Sequence, residues 1–308
     1  MHFCHAQGFP QAEITNGLVR SRMYLPDTDK GYYRAMRFDW SGVMPYLECN
    51  GHTYFGKWFK SYDPLVHESV MGPVEEFEPI GYASAKVGAA FLKIGVGTLI
   101  KKEEPKYNKF KPYEIENHGK WEVSTEPNKV EFKHILNAPE FAYMYKKNIF
   151  LPEGKPELVI HHEFTNNGNT NLKTQVYNHN FFLIDSLPIG TGYVVKFPFD
   201  IEAKGKVKGI GEFAKIEHNE IQFIKELKDK NQVYIGPITG YPKDVSTYDI
   251  TIENKKTGAG VKIHCDQPLS YLAFWSATKT ICPEPFITID AAPGETVHWK
   301  ITYTFYNF

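Results

Sequence analysis

The chain has 308 residues, enough to bury a large core in one or two domains. Its 35 basic and 36 acidic residues nearly cancel and form no basic stripe, so a nucleic-acid partner is not expected. No apolar run is long enough to cross a bilayer as a helix, which argues against a membrane span.

The start, Met1 to Gln7, is too short for a signal peptide. Cys4-His5-Ala6 reads either as the remnant of a cleaved one, giving a periplasmic or secreted protein, or as an ordinary start, giving a cytoplasmic one. Residues 1–14 are read as a tail, disordered or processed. Four cysteines (Cys4, Cys49, Cys265, Cys282) lack any zinc-type or Cys-x-x-Cys spacing and are expected to be free thiols. No linker, repeat or low-complexity tract divides the chain, so residues 1–308 are read as one domain.

In chain order, Arg37 to Gly42 mixes a cation, a carboxylate and an indole, a kit suited to sugar hydroxyls or to a salt-bridged hairpin. His67 follows Asp63-Pro64, and Glu75 and Glu76 sit side by side after Gly72-Pro73. On an extended backbone adjacent side chains take opposite faces, so one of the two carboxylates is expected to enter a cleft. Strands are predicted over residues 90–101, 120–124 and 130–136. An Asn-Gly turn at residues 166–169 is expected to join strands 158–164 and 172–182 as a hairpin. His161 and His162 split across two strand faces and make a poor metal clip, and no metal site is expected.

Gln175, Tyr177 and His179 alternate onto one strand face that is too polar for plain core. Further strands are predicted over 192–197, 247–253, 260–265 and 270–275, the last ending at Trp275. The single helical candidate is 219–230, with Ile221, Ile224 and Leu227 near one face. Pro283 and Pro285 bracket Glu284 and hold it on stiff, non-helical backbone, a suitable mount for an acid or base. After the turn at 292–295, Val297, Trp299, Ile301, Tyr303 and Phe305 alternate with polar residues in the strongest strand signal of the chain. Many strands and almost no helix predict an all-β sandwich or barrel. There is no Gly-rich phosphate loop, no Gly-x-Ser-x-Gly elbow and no dinucleotide fingerprint around Gly95-Val96-Gly97, so no cofactor is expected.

Two segments carry a resemblance. Asn178-His179-Asn180-Phe181-Phe182 resembles the Asn-His-x-Tyr/Phe-Phe segment of galactose mutarotases (aldose 1-epimerases). The ending from Cys282 to Phe305 is similar to that family's glutamate, Pro-Gly-Glu turn and last alternating strand, at a comparable spacing from the histidine. The match covers mainly residues 143–308. The family's early Asn-Arg pair and Leu-His-Gly-Gly segment are absent, and His67 stands roughly where its second histidine would be.

The resemblance implies a galactose-mutarotase-like β supersandwich acting on a small-molecule sugar or oligosaccharide, as a monomer or homodimer. It also implies interconversion of α and β anomers. His179 would protonate the ring oxygen, and Glu284 would take the anomeric hydroxyl proton from the opposite side of the anomeric centre. Arg37, His67, Glu75, Glu76, Tyr177, Asn178 and Trp275 are the candidate sugar contacts. The alternatives are a non-catalytic carbohydrate-binding protein on the same fold, or an enzyme related to polysaccharide lyases and hydrolases. A phosphosugar substrate would call for two or more converging arginines; all arginines lie between Arg20 and Arg37, so this reading ranks below a neutral sugar, with lysines as the substitutes that keep it open.

Overall fold

A computed structural model describes residues 8–308 and is built almost wholly of antiparallel strands. Ten strands form one large sheet, in the order Ala214–Glu217, Glu220–Phe223, Tyr193–Lys196, Asp249–Asn254, Ala259–Cys265, Thr296–Asn307, Glu157–Asn166, Ala142–Phe150, Lys129–Asn137, Lys120–Glu126. Six strands form a second, in the order Glu202–Lys208, Val233–Thr239, Tyr271–Ala277, Thr280–Ala291, Leu172–Phe181, Gly72–Phe77.

Period-two patterning explains how the two sheets meet. Along Thr296–Asn307, Trp299, Ile301, Tyr303 and Phe305 point inward and are buried, as their alternation demands. They pack with Val176, Ile287 and Ile289 of the smaller sheet in one continuous core. Each such fully buried side chain contributes roughly 1.5–3 kcal/mol. A second core, containing Phe38, Trp40, Phe91, Val96 and Tyr113, covers part of the outer face of the six-stranded sheet through Val74, Phe181 and Cys282. The N-terminal third therefore roofs one portion of that face, and a cleft remains over the rest.

Several local expectations change. The Asn-Gly turn does not close a hairpin: Glu157–Asn166 and Leu172–Phe181 belong to different sheets. Asn166 redirects the chain, accepting from the Gly168 amide at 2.9 Å and donating to the Thr170 and Ala291 carbonyls. The run 90–101 splits into Ala90–Lys93 and Gly97–Ile100, because Gly95 and Gly97 take positive φ angles. A Cβ at Gly97 would lie 2.0 Å from the Asn117 carbonyl oxygen, so only glycine permits this turn. The helical candidate is the strand Glu220–Phe223 followed by a loop; Ile221 and Phe223 alternate inward, while Ile224 is exposed. Of the N-terminal tail, residues 11–14 form a strand, Gln11–Thr15, paired with Val19–Tyr24. Residues 1–7, including Cys4, lie outside the described residues. Cys49, Cys265 and Cys282 are buried free thiols. No helix among the described residues is long and apolar enough to cross a membrane.

Candidate active site

The prolines around Glu284 shape the site. Thr280–Ala291 is a central strand, where proline is normally excluded because it cannot donate to the ladder. Its pairing with Leu172–Phe181 stops at Tyr177 opposite Phe286 and resumes only as the bridge between Phe182 and Ile281. Within that gap lie Pro283 and Pro285, and the Asn180 amide crosses it to donate to the Pro283 carbonyl at 2.9 Å. The same register sets His179 opposite Glu284, on the outer face of the sheet.

Nε2 of His179 lies 3.2 Å from Oε1 of Glu284. The two are therefore direct cross-strand neighbours, where the sequence suggested groups facing each other across a hollow. Geometry permits both to serve one anomeric centre, since the anomeric hydroxyl and the ring oxygen share a single carbon.

Burial sets the protonation of the pair. It pushes the His179 imidazole well below its usual pKa, and Arg37 and Lys109 add to the effect. Burial also pushes the Glu284 carboxyl up to about 7, although Lys109 and Arg37 pull the other way. His179 is sandwiched by aromatic rings: Phe181 stacks on it at 3.9 Å, and Trp275 meets it edge-on at 5.6 Å. Trp58 stacks in turn on Phe181 at 4.9 Å.

A cavity of about 540 Å³ opens over the pair, within the range of small-molecule sites. Of the residues singled out from the sequence, Arg37, His67, His179, Trp275 and Glu284 line it. Tyr177 and Glu76 lie just beneath. The Tyr177 hydroxyl donates to Glu76 Oε2 at 2.5 Å, Arg37 Nε donates to the same oxygen at 2.8 Å, and Lys109 Nζ lies 3.3 Å away. Burial resists ionisation of Glu76, but Arg37, then Lys109 and Lys93, outweigh it and hold the carboxyl well below the usual range. Glu76 is thus a fixed anion that anchors Arg37.

Glu75 and Asn178 do not reach the cavity. Both alternate onto the inner face, where Glu75 is completely buried against Lys147 and His162, and the Asn178 amide donates to it at 3.1 Å. The adjacent carboxylates do take opposite faces, but neither enters the cavity: Glu76 turns toward the outer face and stays fully buried beneath it. Their opposite orientation means that Glu75 and Glu76 do not together form the pair of carboxylates that flanks a glycosidic bond in hydrolysis.

Trp58, Glu68, Lys109, Phe110, Phe181, Lys206, Lys208, Gln232 and Tyr234 also line the cavity and were not singled out from the sequence. Lys206 and Lys208 carried a signal, since they sit two apart on a strand and so share a face. Lys109 lies in a loop with Lys106 and Lys111, and nothing in the sequence separates the inward lysine from its neighbours.

No family model and no curated protein matches the chain. Solved structures do. A galactose mutarotase-like protein from Clostridium acetobutylicum is similar with a TM-score of 0.58 at 14% identity, over 97% of this chain and 95% of that one. A galactose mutarotase-like protein from Lactobacillus casei gives 0.55 at 14%, over 96% and 100%. The aldose epimerase homologue from C. elegans gives 0.52 at 13%, over 97% and 99%. The fold is the galactose mutarotase-like fold, as the two sequence segments implied.

Proposed function

We propose that the protein is a divergent aldose 1-epimerase-like isomerase that interconverts the α and β anomers of a sugar. The observation that carries this reading is the direct contact between His179 and Glu284 at the base of an open cavity. Ring opening moves a proton off the anomeric hydroxyl, breaks the bond between the anomeric carbon and the ring oxygen, and delivers a proton to that oxygen. The aldehyde then rotates about its neighbouring carbon–carbon bond, and closure reverses both transfers.

A pair that holds one proton performs this cycle without net change, because the group that donates in opening accepts in closing. The resemblance assigns His179 to the ring oxygen and Glu284 to the anomeric hydroxyl. Burial disfavours both charges, so the proton rests on Glu284. The 3.2 Å contact provides its path to His179. Either way the active form is the singly protonated pair.

Freshly dissolved α-anomers from a broad panel of sugars, followed by polarimetry, test the reading. The wild type should accelerate the approach to equilibrium with at least one sugar. Glu284→Gln should lose about 10²–10⁴-fold of that rate. A sugar that binds while its anomers exchange no faster than in buffer would instead favour a non-catalytic binding protein.

A further inference from the structure

We propose that the sugar received by this cavity carries an anionic group, phosphate or carboxylate, at the end away from its anomeric carbon. The inference rests on reading His179 and Glu284 as the anomer-exchanging pair, which fixes where the anomeric carbon lies. The opposite end of the cavity is built by the edge strand Glu202–Lys208, whose Lys206 and Lys208 line it. Register connects the two ends: Lys208 pairs with Tyr234, Tyr234 with Trp275, and Trp275 with Cys282, two residues before Glu284. Three strand spacings separate the lysine strand from that of Glu284, roughly 14 Å between backbones. Lysine side chains reaching inward shorten that span to the length of one sugar ring and a substituent. Tyr234 and Trp275 lie between as an aromatic floor.

Neither lysine is neutralised by the protein. Lys206 Nζ lies 6.0 Å above the Tyr234 ring, and Lys208 Nζ donates to the neutral Gln232 side chain at 3.2 Å. Among the described residues no carboxylate lies within ion-pair distance of either, whereas Lys204 on the same strand is paired with Glu202 at 2.7 Å. Arg37 and Lys109 bring two more cations to the facing wall, offset in part by Glu76 beneath them, with Glu68 and Glu284 as the lining carboxylates, so the unpaired Lys206 and Lys208 leave the cavity positive. A concave site with this excess of positive charge concentrates anions. A phosphate or carboxylate at the lysine end would gain hydrogen bonds in which both partners are charged, which a neutral hydroxyl cannot supply.

Calorimetric titration of Glu284→Gln, which removes turnover, tests this with glucose, glucose 6-phosphate and glucuronate at low and high salt. One charged sugar should bind at least tenfold more tightly than glucose, with the margin shrinking as salt rises. The phosphate or carboxylate preference then names the anion. Adding Lys206→Gln and Lys208→Gln should erase the margin, and arginine at both positions should keep it. Equal binding of all three sugars, no binding of any, or a margin that survives the glutamine pair would overturn the inference. Should charged sugars bind as described while the wild type leaves their anomers exchanging at the buffer rate, anion recognition stands and the mutarotase reading falls. Acceleration of neutral sugars without binding of charged ones does the reverse.

Discussion

Two carboxylate–imidazole pairs are built on glutamates that face opposite sides of the six-stranded sheet, and they behave oppositely. On the inner face, Glu75 Oε1 meets His162 Nε2 at 2.8 Å, and the carboxylate also contacts Lys147. Lys147 in turn lies 3.6 Å from Asp39 and donates to the Ser41 carbonyl at 2.9 Å, and all these charged side chains are completely buried. Burial resists ionisation of Glu75, but Lys147 and then His162 outweigh it, so the carboxyl stays well below its usual range. On the outer face Glu284 meets His179 with no cation in contact, and burial leaves its proton mobile near neutrality. The same two residue types give a fixed carboxylate, ion-paired to a lysine and hydrogen-bonded by an imidazole that burial keeps neutral, where a lysine accompanies them, and a proton-exchange device where none does.

Removing the lysine is the severest way to break this contrast. Lys147→Met leaves Glu75 and Asp39 buried without their cation and should cost about 3–5 kcal/mol of stability, read from urea unfolding. A loss under about 1 kcal/mol would show that the inner pair is not pinned by charge. Glu284→Gln should do the opposite to stability. A carboxyl whose pKa is higher folded than unfolded loses stabilisation as pH rises from its unfolded value near 4.5 through about 7. At pH 8 the glutamine variant should therefore be more stable than wild type by on the order of 1–3 kcal/mol, with the advantage vanishing below pH 4.5. Equal thermal midpoints at pH 8 would contradict the burial assigned to Glu284. Trp58→Leu, which removes the ring stacked on Phe181 beside the cavity, should raise KM by about 2–10-fold with kcat little changed. A loss confined to kcat would instead make Trp58 a positioning residue for the pair.

The sequence disclosed the strands that alternate cleanly and the two groups that meet. Thr296–Asn307 was legible because one face is core and the other solvent. His179 and Glu284 were legible through their flanking motifs. Their adjacency was not, because it depends on the register between strands more than a hundred residues apart and on a ladder gap that two prolines open within a central strand. The strands Ala142–Phe150 and Gly72–Phe77 also escaped: the first carries Lys146 and Lys147 in its middle, and the second buries both glutamates. Buried charges hide a strand from any reading based on hydrophobic pattern, since their partners come from distant segments. The N-terminal third was the least legible for a related reason. Its contribution to the site is a roof of loops bearing Arg37, Trp58, His67 and Lys109, and loop side chains follow no periodicity.

The most direct test of the central claim is the pH dependence of kcat/KM for anomer exchange, measured by NMR saturation transfer between the two anomeric protons. A pair that works with one shared proton loses activity as pH rises through about 7, where that proton departs, and Glu284→Gln should lack this limb. A wild-type rate that stays flat or climbs between pH 6 and 9 would contradict the account.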